Sequence, residues 1–324
     1  MKSNINIIKP AALLLILILI FARICHSQDF LNNYLKEAAE NNPKLKSLFS
    51  RYMADLEKVP QAGALPDPQI AFGYFVSPVE TRVGAQRTKL SASQMFPWFG
   101  TLNAQEEVAS QMAKASLEVF EDAKSRLFFN VKSTYYNLYV LEEAITITDE
   151  TLELLSSFKK LALIKFEAGK ASMVDVLRVE MEIEEMENQL AFLKDSELPL
   201  ITQFEELLNT KLQQEIAFPD TLWQEDVEMQ KSEVIDSIIT QNPLLKKLDY
   251  EMKSWENSIE AARKQGMPSF MLGMSYINIS ERSEALPGNG KDAIILPQIG
   301  VRIPLYRSKY KAMVKEAELK KEAV

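Results

Sequence analysis

Four short stretches of the chain alternate between apolar residues and small or polar residues with a period of two, which predicts β-strands. One apolar face fits two structures: a soluble sheet packed on one side, or a transmembrane barrel with lipid outside and water inside. Alternation alone favours the soluble sheet. Four strands cannot close a barrel, which needs about eight, so the barrel requires an oligomer. The apolar positions are Ile70, Phe72, Tyr74 and Val76; Thr88, Leu90 and Ala92; Phe270, Leu272, Met274 and Tyr276; and Ile295, Ile299, Val301 and Ile303.

The region between the second and third strands has the pattern of two long helices. Residues 101–168 contain neither proline nor glycine, and a helix of that length would be a rod of roughly 100 Å. The second arm covers residues 172–212, and we expect Pro199 to kink or break it. A shorter helical stretch, residues 30–59, precedes the first strand. Mostly apolar residues spaced alternately three and four apart form a coiled-coil seam: Leu138, Leu141, Ile145, Thr148, Leu152, Leu155, Lys159, Ala162 and Phe166, then Val176, Val179, Ile183, Met186, Leu190 and Leu193.

The stretch FEAGKASMVDVL, residues 166–177, predicts the turn between the two arms. Gly169 can adopt the left-handed conformation that ends a helix. Ser172 and Asp175 have the spacing of a capping box, which satisfies free amide groups at the start of the next helix. The two arms therefore form an antiparallel hairpin, and from the residues alone this turn needs no role beyond reversing the chain.

The chain repeats itself at an offset of about 200 residues. NNPKLK returns as QNPLLK, LPDPQIAFGYF returns as MPSFMLGMSYI, and MFPWFG returns as RIPLYR, with Pro97 matching Pro304. Each unit therefore runs helix, strand, loop, strand, helix. We assign residues 28–212 to the first repeat with its hairpin, 213–231 to a linker, and 232–324 to an incomplete second repeat.

Residues 1–27 are predicted to be a secretory signal peptide. Lys2 and Lys9 precede an apolar run, residues 11–22, and small residues follow at Cys25 and Ser27. A run of this length is too short to cross a bilayer, which takes roughly twenty residues. An uncleaved membrane anchor is the alternative.

Cleavage would remove the only cysteine and the only histidine, Cys25 and His26. It would exclude disulfides, thiol nucleophiles, Cys/His zinc sites and catalytic triads that need imidazole. The net charge of −8 would become more negative still, which argues against nucleic acid as a partner.

Taken together, the signal, the repeated unit and the long hairpin resemble the TolC-type outer-membrane efflux proteins. The resemblance rests on LPDPQIAFGYF, LSASQMFPWFG, FEAGKASMVDVL, FEELLNTKL and GVRIPLY, and it covers the chain from about residue 30 onward. The second repeat stops before a second hairpin, so the chain resembles a member truncated within that repeat.

The resemblance implies a fold that is mainly α with a small β part. It consists of a long antiparallel coiled-coil hairpin and four strands that a homotrimer combines into a twelve-stranded transmembrane β-barrel in outer-membrane lipid. The loops at residues 77–86 and 280–291 would be extracellular, and a helical tunnel would cross the periplasm. The barrel thereby replaces the soluble sheet as the favoured interpretation.

The function implied is a passive conduit of a tripartite efflux or type I secretion system, working with a periplasmic adaptor and an inner-membrane pump. The adaptor would dock at the hairpin tip, at Gly169, Lys170, Ser172 and Asp175. The strand–helix junctions would lie at the membrane interface, where Pro97 ends strand pairing and Thr101 caps the long helix. The junction residues are Phe96, Pro97, Trp98 and Phe99 in the first repeat and Ile303, Pro304 and Tyr306 in the second.

Three alternatives stay open. A periplasmic adaptor also has a long hairpin after a signal peptide, but it carries a single copy of the unit. A truncated family member without function is the second. An enzyme is the third: the acidic run at residues 180–189 is rich enough in glutamate to suggest a metal site, but helical spacing places Glu180, Glu184 and Glu187 opposite the seam, on a solvated face. We therefore expect no catalytic, cofactor-binding or metal-binding residues.

Overall fold

The computed structural model describes residues 27–219, 221–222, 229–283 and 287–324. The predicted signal peptide lies outside the described residues except for Ser27. The chain divides into two compact units, one made of the described parts of Met1–Ser47 and Asp122–Met229, the other of Leu48–Glu121 and the described parts of Gln230–Val324. None of the described helices is both long enough and apolar enough to span a bilayer.

The elements follow the predicted order of helix, strand, strand, helix in each repeat. In chain order they are α1 Ser27–Asn41, α2 Pro43–Leu56, α3 Lys58–Gly63, β1 Gln69–Thr81, β2 Gly84–Phe96, α4 Thr101–Glu167, α5 Met173–Leu208, α6 Lys231–Gln241, α7 Pro243–Gln265, β3 Ser269–Ser280, β4 Ala293–Arg302 and α8 Arg307–Ala323.

The first helical stretch, predicted as one element, is three helices, and the repeated Asn-Pro motif explains its first break. Asn42 lies between α1 and α2, and its side-chain oxygen accepts a hydrogen bond from the Leu45 N–H at 3.0 Å. Asn242 caps α7 in the same way, accepting from the Leu244 N–H at 2.8 Å, with Pro243 in the first turn. Asparagine is a strong N-cap, and proline suits the first helical position. The motif is therefore a helix start in both repeats.

The four strands form one antiparallel sheet in the order β1-β2-β3-β4. Register pairs Phe72 with Leu90, Leu90 with Tyr276, and Tyr276 with Ile294, so these side chains share one face. Small and polar residues share the other face, where Ala71 pairs with Ser91, and Ser91 with Ser275. The predicted two-faced sheet is confirmed.

Two details of the sheet were predicted wrongly. A register shift between Gly273 and Ser275 pairs Ser275 with Ile295, so Ile295 lies on the small and polar face instead of sharing the face of Ile299. The inserted residues include Pro297, and proline within a strand typically accompanies such a bulge.

The second error concerns the loop predicted at residues 77–86. β1 continues to Thr81 and β2 begins at Gly84, so only a two-residue turn connects them. Gly84 has a φ of 135°, which favours glycine. The Thr81 hydroxyl donates to the Gly84 carbonyl at 2.7 Å and closes the turn.

The predicted hairpin is present as α4 and α5. Its seam is buried at Leu138, Leu141, Thr148 and Val176, as the period predicts, and half-buried at positions such as Leu155 and Ile183, whereas the predicted seam residue Phe166 is exposed. Pro199 does not break the second arm, because α5 continues through it to Leu208. Phe204 and Leu208 are fully buried beyond the proline, so packing holds the helix together where one backbone hydrogen bond is missing.

An aromatic cluster forms the core of the first unit. Tyr135 is buried, and its ring lies 6.0 Å from Tyr34, 6.3 Å from Phe204 and 5.2 Å from Phe218. The Tyr135 hydroxyl donates to the carbonyl of Ala217 at 2.9 Å, and the Ala217 N–H donates to the Tyr34 hydroxyl at 3.3 Å. The segment after α5 is therefore fastened to the helices through both backbone groups of one residue.

Candidate functional site: the hairpin tip and the strand–helix junctions

The tip of the hairpin begins with a Schellman motif at the end of α4. Gly169 has the predicted left-handed conformation, with a φ of 67°. Its N–H donates to the Phe166 carbonyl at 2.9 Å, and the Lys170 N–H donates to the Lys165 carbonyl at 2.8 Å. These two bonds satisfy carbonyls that the helix end leaves free.

The predicted capping box opens α5 directly after this turn. The Asp175 N–H donates to the Ser172 hydroxyl at 3.3 Å, and the Ser172 N–H donates to the Asp175 carboxylate at 3.0 Å. Backbone and hydroxyl hydrogen bonds from Ser172 lower the pKa of Asp175, so the carboxylate stays charged at neutral pH. Gly169, Lys170, Ser172 and Asp175 are all exposed. The tip is therefore a fixed and accessible surface, on which the exposed apolar residues Met173 and Val174 lie beside the polar ones.

The junction of the first repeat is an aromatic cluster at the end of β2. The strand ends at Phe96, directly before Pro97, as predicted. Trp98 stacks on Phe270 with ring centroids 6.0 Å apart and an interplanar angle of 25°, and Phe99 lies 5.8 Å from Trp98. Phe99 is nevertheless 78% exposed, so the cluster presents aromatic surface outward.

Thr101 does not cap the long helix as predicted. Thr101 is already the first residue of α4, and its buried hydroxyl oxygen has no hydrogen-bond partner among the described residues. Gly100, with a φ of 74°, precedes the helix, and its carbonyl accepts from the Ala104 N–H at 3.0 Å. The glycine lets the chain turn into the helix one residue earlier than the sequence suggested.

The junction of the second repeat has a different anchor. β4 ends at Arg302 and α8 begins at Arg307, whose guanidinium donates to the Gly266 carbonyl at 3.1 Å. Ile303 is 60% exposed and Tyr306 is 82% exposed, while Pro304 is half-buried. Both junctions therefore expose large apolar side chains, but only the first contains the stacked aromatic cluster.

Two rows of exposed apolar residues accompany these sites. On the sheet, Ile70 is 75% exposed, Phe72 70% and Ile299 72%. On α4, a second row of exposed apolar residues lies away from the buried seam and repeats every seven residues. The sequence contains this spacing, but we did not predict an exposed surface from it. This row consists of Val140, Ile147, Leu154 and Leu161.

The acidic run of α5 differs from its prediction in one residue. Glu184 and Glu187 are exposed, but Glu180 is half-buried and forms an ion pair with Lys159 of α4, Oε1 to Nζ, at 3.0 Å. Lys159 occupies a seam position on α4, so the ion pair with Glu180 joins the two arms of the hairpin. Within the described ranges, no group of three or more His, Cys, Asp or Glu side chains is arranged to hold a metal ion.

Comparison with known proteins assigns the N-terminal half of the chain. The family model described as outer membrane efflux protein matches residues 34–200. A curated relative, toxin and drug export protein A of Aggregatibacter actinomycetemcomitans, is 24% identical over 197 residues, covering 59% of this chain. The match spans only 43% of that relative, less than half its length.

The fold is similar to that of solved outer-membrane channels. The outer membrane protein VceC of Vibrio cholerae superposes with a TM-score of 0.65 at 15% identity, covering 92% of this chain and 75% of that one. The MtrE outer membrane channel of Neisseria gonorrhoeae gives 0.64 at 19% identity, covering 91% and 68%. These similarities confirm the predicted fold class, with its long hairpin and four-stranded sheet.

Proposed function

The chain belongs to the outer membrane efflux protein family, and from that premise we propose that it is the channel component of a tripartite efflux or type I secretion system. It would be a passive conduit without catalysis, located in the outer membrane with a periplasmic helical tunnel. The family match gives no support to the periplasmic adaptor alternative. The signal peptide at residues 1–27 and the repeat boundaries stay predictions.

The observation that carries this proposal is the bare apolar face of the sheet. Phe72 is 70% exposed and Ile299 is 72% exposed, although their face is continuous and apolar across all four strands. Water does not favour such a surface, whereas lipid does. A sheet can face lipid only when no strand edge is left unpaired.

Closure of the sheet supports an oligomer, which the resemblance to the family makes a homotrimer. Among the described residues, β1 and β4 each have only one strand neighbour. Pairing β1 of one copy with β4 of the next would satisfy both edges, and three copies would supply twelve strands. The exposed heptad row on α4, represented by Ile147 and Leu154, offers a helix of another copy the same spacing that pairs coiled coils.

The hairpin tip supports docking of a periplasmic adaptor. Its exposed residues Gly169, Lys170, Ser172 and Asp175 are held by backbone and side-chain hydrogen bonds instead of by core packing. A surface fixed in this way loses little conformational freedom when a partner binds. We assign the partner as an adaptor and, beyond it, an inner-membrane pump.

Fractionation of a Gram-negative host that expresses the full chain tests the proposal. The wild type should be in the outer membrane as a trimer. Phe72→Arg places a charge on the proposed lipid face and should cost about 2–4 kcal/mol per protomer, which prevents stable insertion. Ser91→Arg, its control on the opposite face, should insert normally. A soluble periplasmic monomer, or equal insertion of both variants, would contradict the proposal.

A further inference from the structure

A cavity lies in the second unit where the strands meet the helices. Its volume is about 780 Å³, within the range of ligand pockets. The ends of α3 and α7, the first turns of α4 and α8, and the ends of β2 and β4 all contribute to its wall. Residues of the stacked junction, Pro97 and Trp98, line it together with Pro304. Both repeats therefore build one cavity.

The strand residues of the cavity identify the side on which it opens. Met95 pairs with Met271, and Ser269 pairs with Arg302. On β3, Met271 and Ser269 lie two and four residues from Gly273, which pairs with Ser93 on the small and polar face. Because side chains alternate along a strand, both pairs lie on that same face. Met95, Ser269 and Arg302 line the cavity. In a closed barrel with its apolar face in lipid, this face lines the lumen.

Positive charge predominates around the cavity. Three bases, Lys264, Arg302 and Lys309, line it, against one acid, Asp67. Lys264 forms an ion pair with Glu260, Nζ to Oε1, at 3.3 Å. Across the described parts of the chain, neither Arg302 nor Lys309 forms an ion pair. The N-terminus of α4 also contributes its first residues to the wall, and a helix N-terminus favours negative charge.

Flat apolar surfaces complement these charges. Trp98 and Tyr310 contribute aromatic rings, and Met95 and Met267 contribute flexible thioethers. Trp98 is held by its stack on Phe270, so its ring is positioned before a ligand arrives. Such a wall fits a molecule that combines an aromatic or aliphatic body with an anionic group.

We propose that this cavity binds amphiphilic organic anions, with Arg302 and Lys309 receiving the anionic group and Trp98 and Tyr310 the apolar body. Its place in transport rests on the proposed function, because only a conduit would present the cavity to solutes in its lumen. The sequence did not predict this cluster, since Lys264 lies far from Arg302 and Lys309 along the chain.

Fluorine NMR titration of the purified full chain in nonionic detergent tests the site. The probes are para-(trifluoromethyl)benzenesulfonate and the uncharged para-(trifluoromethyl)benzamide, which differ in charge but share the ring. The wild type should bind the sulfonate at least tenfold more tightly than the benzamide. Raising NaCl from about 50 to about 500 mM should weaken sulfonate binding by screening.

Two double variants that remove the same number of positive charges distinguish binding in the cavity from a general effect of net charge. Arg302→Gln with Lys309→Gln should raise the Kd of the sulfonate about tenfold, an energy of about 1.4 kcal/mol. Lys311→Gln with Lys315→Gln, on the helix that carries Lys309 but outside the cavity wall, should leave the Kd unchanged. Equal effects of the two double variants, equal affinity for both probes, or no sulfonate binding by the wild type would overturn the inference.

The outcome is independent of the fractionation experiment. Sulfonate binding by a chain that fails to reach the outer membrane would refute the conduit and leave the site standing. Insertion as a trimer without sulfonate binding would refute the site alone.

Discussion

Replacing Tyr135 by phenylalanine removes one hydroxyl from the core of the first unit and leaves every ring in place. The Tyr135 side chain is 1% exposed, and its hydroxyl donates to the Ala217 carbonyl at 2.9 Å. Removing the donor leaves the half-buried Ala217 carbonyl unpaired, which costs toward the lower end of about 1–3 kcal/mol. The variant should therefore lose about 1–2 kcal/mol of unfolding free energy.

Urea unfolding of the purified chain, followed by circular dichroism of the helices, measures this loss. With a slope of about 2 kcal/mol per M, the midpoint should fall by about 0.5–1 M. Tyr136→Phe is the matched control, because Tyr136 is 41% exposed and its hydroxyl forms no hydrogen bond within the described residues. Its midpoint should change little. Equal midpoints for the two variants would refute the role of the Ala217 bond.

The same residue predicts how stability depends on alkaline pH. Burial, followed by the nearby Tyr34 and Tyr136, raises the pKa of Tyr135 from 10.0 to about 12. A pKa raised by folding stabilises the folded state fully below the unfolded value, and this stabilisation is lost as pH rises toward the folded value. Wild type should therefore lose stability relative to Tyr135→Phe between pH 10 and about 12. Parallel pH profiles would contradict this assignment.

Three further predictions concern the helices. Gly169→Ala should destabilise the hairpin tip by about 1–2 kcal/mol through its positive φ alone, because no atom lies within 4 Å of the added Cβ; Gly169→Asn should cost less, and hydrogen exchange at residues 166–177 distinguishes them. Burial raises the pKa of Asp55, but hydrogen bonds from Lys58 and Ser116 outweigh it and lower the pKa below 3.8; this stabilisation is lost as pH falls through the folded pKa, so Asp55→Asn should flatten acid unfolding curves. Lys159→Met should leave the melting temperature unchanged or higher, since its half-exposed pair with Glu180 contributes at most about 1 kcal/mol; a large decrease would show that the pair fixes the hairpin.

Local patterns in the sequence were enough to predict most of the fold. The period-two strands, the seam of the hairpin and the turn at Gly169 and Ser172 each depend on residues close together in the chain. The structure reproduces them because local conformation and burial agree there. The capping box is the clearest case, with its predicted bonds present at 3.0 and 3.3 Å.

The errors and omissions arise where distant residues decide the local structure. The bulge that moves Ile295 to the other face depends on pairing with β3. Pro199 is accommodated because Phe204 is buried against residues of α1 and α4. The cavity around Arg302 needs both repeats at once. A single sequence gives no register between elements that lie so far apart.

The pairing of β2 with β3 constrains the order in which the molecule folds. The Arg87 guanidinium donates to the Ser280 hydroxyl across 193 residues of chain, whereas the bonds of the hairpin tip join residues three to five apart. Closing so long a loop costs conformational entropy before any stabilising contact forms. Contacts between residues close together in the chain therefore form faster. A hairpin that has already folded shortens the flexible part of that loop. Formation of the hairpin first would therefore lower the entropic cost of pairing β2 with β3.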